Sequence, residues 1–190
     1  AFKQYGNAYQ IARLLQAEDS DTSNRLGHFS DVMNLNHLFA FLQETQNLKA
    51  LMKKDFSSQL PELIVKPVVG DFLKNFQNTD NNPALFQYKL ACWQYKHMNY
   101  AAALISLQEG ILSYACQIAH HDCNDKEERQ FVKDRICNDQ DFLPYELRGV
   151  YFAVTKNRNV VAHALESELS SGKIIDNLRK SLETVGKYIL

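Results

Sequence analysis

The decapeptide KNRNVVAHAL, Lys156 to Leu165, sets an arginine, an asparagine and a histidine close together in a chain that elsewhere reads as ordinary helix-core patterning. Arg158 and His163 bracket Asn159, Val160, Val161 and Ala162, an Arg-x4-His spacing with a polar residue directly after the arginine and a small one directly before the histidine. These residue types suit phosphodiester chemistry. An imidazole titrating near neutrality takes or gives a proton, and a guanidinium holds a phosphate that gains charge in the transition state. RNA cleavage by internal attack of a 2′-hydroxyl requires those two functions and no metal ion. On a straight helix a five-residue step turns by about 140°, so Arg158 and His163 converge only if Arg158 precedes the first turn. The spacing therefore predicts a helix that begins near Asn159, capped by Asn157 or Asn159. It would set Asn159 and His163 on one face and aim free backbone N–H groups at a bound phosphate. The plainer reading is an Arg and a His that solvate a helix start; the full hexamer RNVVAH weighs against it more than the bare pair would.

A second constellation lies in CQIAHHDC, where Cys116 and His120 stand four apart and Cys123 follows, with Cys137 more distant. Four such ligands are enough for zinc, but their spacing is not that of a zinc finger. Buried structural cysteines beside a histidine at a helix end are the simpler account, so neither metal nor cofactor is expected. The chain contains no Walker A loop, no dinucleotide-binding glycine fingerprint, no serine-hydrolase elbow and no HExxH, which leaves nucleotide-hydrolysing, nicotinamide and zinc-protease readings without support.

The elements that must position these residues read as helices. With 190 residues, 45% hydrophobic, and only 7 Gly and 4 Pro, the chain can bury a substantial core and favours long helices over a turn-rich sheet. A formal net charge of −1 excludes a chain-wide basic field for polyanions. Between Arg148 and Leu190, however, seven Lys or Arg face four acids, a local excess of +3 around the motif. The four cysteines have no framework spacing, no apolar run reaches transmembrane length and no signal-peptide pattern opens the chain, so a reducing, cytoplasmic setting away from membranes is expected. A first residue of Ala rather than Met suggests a processed product or an excised fragment.

Along the chain, helix-period patterning in YGNAYQIARLLQA gives way to a polar run, Glu18 to Asn24, that reads as a loop. Phe29 to Phe56 reads as one long amphipathic helix with Ser30 or Asp31 as N-cap. LPELIVKPVVGDFLKNF, interrupted by Pro61 and Pro67, reads as two short helical pieces. Pro83 opens a helix that runs past Trp93 to a break at KHMN, and the segment from Asn99 through Ile118 is apolar over more than half its circumference, as a central buried helix should be. The pair resembles a single tetratricopeptide unit; no second copy occurs, and a solenoid needs at least about three. A charged helix with an acidic first turn, the segment DFLPYELRGVYFAV leading into the motif, and a final amphipathic helix with Ile174, Ile175, Leu178, Leu182, Val185 and Ile189 on one stripe complete an all-α bundle.

At RNVVAH the chain resembles the HEPN superfamily, helical bundles whose ribonuclease members carry an Arg, a polar residue and a His four to six residues beyond the Arg. ALFQYKLACWQYKHMNYAAALISLQEGILS followed by the motif is similar to the C-terminal effector half of type III CRISPR-associated proteins that join a CARF sensor to a HEPN domain. The resemblance implies an HEPN-type bundle over residues 29–190, with residues 1–28 an additional N-terminal helical segment or linker remnant. It further implies a homodimer in which two motifs form one metal-independent site for single-stranded RNA, with Arg158, Asn159 and His163 as catalytic residues. Control by cyclic oligoadenylate would act through a CARF domain, and no α/β unit of that kind is evident in this chain. Two other readings stay open: a non-catalytic HEPN or helical dimerisation module, and the toxin of a toxin–antitoxin pair.

Overall fold

The computed structural model describes residues 6–56, 59–163 and 169–190. Among these residues the chain forms nine α-helices, one short 3-10 helix and no strand, so the fold is all-α as the periodicity predicts. Packing divides it into two compact units, Ala1–Asp80 and Asn81–Leu190. Positions 28 and 29, where the sequence suggests a boundary, lie within the helix Ser20–Asn34.

The first unit contains α1 (Tyr9–Leu15), α2 (Ser20–Asn34), α3 (Leu38–Leu51), α4 (Gln59–Leu73) and the 3-10 helix Lys74–Phe76. The expected loop from Glu18 to Asn24 is mostly the first turn of α2, because Asp19 is its N-cap: the carboxylate accepts from the Thr22 backbone N–H at 3.1 Å and from the Thr22 hydroxyl at 2.7 Å. Ser30 is no cap. It is buried, donates to the Leu26 carbonyl at 2.8 Å and accepts from the Ala8 N–H at 2.7 Å, which ties α2 to the start of α1. The single helix expected from Phe29 to Phe56 is two helices. Asn36 adopts φ 50°, in the left-handed region that Asn tolerates, and the His37 N–H bonds back to the Val32 carbonyl at 3.1 Å to close α2. Conversely, the two pieces expected around Pro67 are one helix, with the proline inside it. The apolar faces meet in an aromatic cluster of Phe29, Phe41, Phe72 and Phe76, whose contacting ring centroids lie 4.9 to 6.2 Å apart. Each such burial contributes roughly 1.5–3 kcal/mol relative to an exposed ring.

The second unit contains α5 (Pro83–Lys96), α6 (Tyr100–Ile118), α7 (Lys126–Asn138), α8 (Tyr145–His163) and α9 (Ser171–Ile189). Pro83 occupies the first turn of α5 as expected, behind an Asn82 cap that accepts from the Leu85 N–H at 3.0 Å. The break at KHMN is a left-handed Met98, φ 61°, followed by an Asn99 N–H bonded to the Gln94 carbonyl at 2.9 Å. The central role expected of α6 holds, since α5, α7, α8 and α9 all pack against it. Gly110 lets the backbones of α5 and α6 come close: a Cβ there would lie 3.3 Å from the Tyr88 backbone nitrogen. On α9 the residues Ile174, Leu178, Leu182, Val185 and Ile189 are buried, and the Tyr88 hydroxyl donates to the Leu182 carbonyl at 3.2 Å. No helix among the described residues is long and apolar enough to cross a membrane.

Candidate functional site

The motif does not begin a helix. After Pro144, nothing from Tyr145 to His163 breaks the helical repeat, and α8 runs continuously through Arg158 and Asn159. Leu147, Tyr151, Val154 and Asn157 are buried, spaced at helical steps along the face that packs on the bundle. Asn157, which resembles a cap in the sequence, is thus an inward residue at 6% exposure. The backbone N–H groups of Arg158 to His163 belong to a helix interior and are engaged four residues back, so the expected set of free N–H groups for a phosphate is absent at this point. An Arg and a His five apart on a continuous helix are turned from one another by about 140°. Positions 158 and 163 therefore do not share a face of α8.

Arg158 is half-buried. Its Nη1 donates to the Asn159 Oδ1 at 3.1 Å, while its Nε is buried and has no hydrogen-bond partner among the described residues. A buried guanidinium N–H left unmade is costly, and an incoming oxygen would satisfy it. The backbone of His163 ends the described part of α8; its side chain lies outside the described residues, as do residues 164–168. Val161 and Ala162, between the two, are exposed.

The charged helix α7 carries two further half-buried cations. Arg129 and Lys133 are four apart on α7, hence on one face. Arg129 pairs with Glu109 of α6, and its Nη1 donates to the Cys123 carbonyl at 3.3 Å. Burial lowers its pKa from the ordinary arginine value. Burial likewise lowers the Lys133 ammonium, and the fields of Arg129 and Arg158 push it in the same direction. At the other end of α8, Arg148 donates to the Ile136 and Cys137 carbonyls at 2.7 and 2.8 Å, fastening α8 to the last turn of α7.

The thiol–imidazole constellation does not assemble. Cys116 and Cys123 are buried and Cys137 is exposed, all as free thiols, and His120 adopts φ 58° where the His121 N–H closes α6 on the Cys116 carbonyl at 2.9 Å. Burial pushes the Cys116 thiol up to about 11 and raises Cys123 as well, which disfavours thiolate ligands. Among the described residues no group of three or more His, Cys, Asp or Glu is placed to hold a metal ion.

Comparison with known proteins points to a single kind of relative. Residues 1–82 match the family model described as CRISPR-associated protein MJ1674, second domain. The chain is also 27% identical over 170 residues to CRISPR-associated protein MJ1674 of Methanocaldococcus jannaschii, an alignment covering 86% of this chain and 26% of that protein. The chain is therefore similar to a CRISPR-associated family and spans about a quarter of the length of the curated relative it matches. The family match coincides with the first compact unit, whereas RNVVAH lies in the second, which the longer alignment also reaches. No solved structure matches.

Proposed function

We propose that the second unit is an endoribonuclease of HEPN type acting on single-stranded RNA, an effector in CRISPR-linked antiviral defence. The observation that carries this reading is the buried, unpartnered Nε of Arg158, held beside Asn159 and followed five residues later by His163 on one continuous helix. Arg158 holds the scissile phosphate. The imidazole of His163 takes the proton from the 2′-hydroxyl, whose oxygen attacks phosphorus as the bond to the 5′-oxygen breaks. The leaving oxygen then receives a proton from an imidazolium, and the products are a 2′,3′-cyclic phosphate and a 5′-hydroxyl.

One chain supplies too few groups for separate acid and base, so the working site is composite. A two-fold axis beside the exposed Val161 and Ala162 brings the His163 of one copy toward the Arg158 of the other. The similarity to a CRISPR-associated protein favours a CRISPR setting over a toxin–antitoxin pair. Any response to cyclic oligoadenylate would belong to a sensor domain outside this segment. Purified protein incubated with fluorogenic single-stranded RNA, with and without EDTA, tests the proposal. Cleavage that survives EDTA supports it, and intact RNA in both arms favours the non-catalytic dimerisation module.

A further inference from the structure

From Tyr145 to His163 the outer side of α8 repeats in steps of four, three, four, three and four: Tyr145, Gly149, Phe152, Lys156, Asn159 and position 163. At 3.6 residues per turn these six positions fall within about 40° of one line along the helix. The continuous helix backbone alone therefore sets them on one face, opposite the buried Leu147, Tyr151 and Val154. Tyr145 is 93% exposed and Phe152 38%, and Lys156 stands exposed between Phe152 and the motif.

A recess of about 440 Å³ follows this face from Tyr145 past Gly149 to Phe152, a volume within the range of sites for small organic groups. A glycine inside a helix costs stability relative to alanine. Yet a Cβ at Gly149 would meet nothing within 4 Å outside its own stretch of helix, among the described residues. The packing of the chain gives no reason for the glycine; the open recess does. The Phe152 ring is held in place, because the Arg148 guanidinium lies 4.9 Å over it and is itself fixed by the Ile136 and Cys137 carbonyls. Glu146, the acid on the rim, is engaged by Lys187 and Tyr188.

The residue types on this face discriminate between occupants. A seam for a second helix carries Leu, Ile or Val at positions three and four apart, whereas α8 turns Val150 and Val154 to the bundle and sets two aromatics, a lysine and an amide on its outer side. Rings interleaved with cations suit single-stranded nucleic acid, whose bases stack on the rings while its phosphates meet the cations. The local excess of positive charge between Arg148 and Leu190 complements such a strand. We propose that the outer face of α8 is a stacking track for the single-stranded RNA that flanks the cut. Bases stack on Phe152 and Tyr145, the recess at Gly149 admits a base against the helix, and Lys156 meets a phosphate between the rings and the motif. Position 163 lies eleven residues beyond Phe152, about 16 Å along the helix, a span of a few nucleotides. The inference rests on the ribonuclease reading for its choice of ligand, and it adds binding residues rather than any that moves a proton.

The test titrates a 2′-O-methyl RNA oligonucleotide, which lacks the attacking hydroxyl and cannot be cleaved, and the same strand with abasic positions, into wild type, Tyr145→Ala, Tyr145→Trp, Gly149→Leu and Lys156→Gln over a range of salt. Tyr145→Ala should weaken binding about tenfold without changing the logarithmic salt dependence, and Tyr145→Trp should retain affinity. Gly149→Leu fills the recess with a better helix former, so binding should weaken while the melting temperature holds or rises. Lys156→Gln should make the salt dependence shallower by about 0.7, the value for one phosphate contact on a single strand. The abasic strand should bind wild type and Tyr145→Ala alike. Wild-type affinity in either Tyr145→Ala or Gly149→Leu would overturn the proposal, and so would an oligonucleotide that wild type does not bind. Light scattering tests the other occupant: if Tyr145→Ala or Gly149→Leu lowers the mass of the particle, the face belongs to a second copy and the proposal falls. A protein that binds the oligonucleotide through these residues yet leaves cleavable RNA intact would sink the nuclease reading alone.

Discussion

In the proposed reaction Arg158 and His163 have different tasks, and their substitutions should fail differently. A positioned general acid/base is worth roughly 10²–10⁴ in rate, so His163→Ala should lower turnover by about that factor with RNA affinity nearly unchanged. Arg158→Ala should weaken both affinity and turnover, because a guanidinium–phosphate contact is made before and during the chemical step. Titration of uncleavable RNA beside single-turnover cleavage separates the two; equal affinities, or wild-type cleavage by His163→Ala, would return the motif to a merely structural role. At this scale the residue types were legible and their setting was not. Asn157 and Asn159 are the kind of side chain that caps helices, yet Asn157 is buried against the bundle and α8 had begun twelve residues earlier at Tyr145. Local capping preference lost to the continuous apolar face formed by Leu147, Tyr151 and Val154.

Among the elements, α2 depends on one side chain that does two jobs. Asp19 caps the helix and also receives the Lys54 ammonium at 2.8 Å. Burial pushes its carboxyl up, but hydrogen bonds from Lys54 and Thr22 outweigh that and leave the pKa below the ordinary value, while Lys54 is correspondingly raised. A depressed folded-state carboxyl stabilises above its unfolded value of about 3.9, and that contribution is lost as pH falls through the folded value. Asp19→Ala should cost about 1 kcal/mol from the cap. Asp19→Asn keeps an acceptor, so it should lose less and should flatten the acid dependence of the urea midpoint between near-neutral pH and the carboxylate range. An Asp19→Asn protein as unstable as Asp19→Ala, with unchanged acid sensitivity, would contradict the dual role. The helices themselves were readable from their apolar periodicity, including the Pro83 start and the buried α6. Their breaks were not: Leu35 extends the apolar stripe in sequence, yet it is 77% exposed, because the left-handed Asn36 turns the chain before α3 begins.

For the whole molecule, the two compact units carry different kinds of information: similarity to a CRISPR-associated family over the first 82 residues, and a candidate nuclease motif in the second unit. That division was invisible in composition, since both units are helical and share one apolar periodicity. The proposed composite site requires association. Ala162→Arg, which sets a bulky charge on the exposed side of α8 beside the motif, should convert a dimer to a monomer by light scattering and abolish cleavage without unfolding the chain. A monomer with full activity would contradict the composite site. The most direct measurement of the central claim is the chemistry of the cut end. Wild-type protein treated with EDTA should convert a defined single-stranded RNA into fragments bearing a 2′,3′-cyclic phosphate and a 5′-hydroxyl, and should leave the same strand untouched when every 2′-hydroxyl is methylated. Fragments ending in a 5′-phosphate, cleavage of the methylated strand, or activity that EDTA abolishes would contradict an acid–base site built from Arg158 and His163.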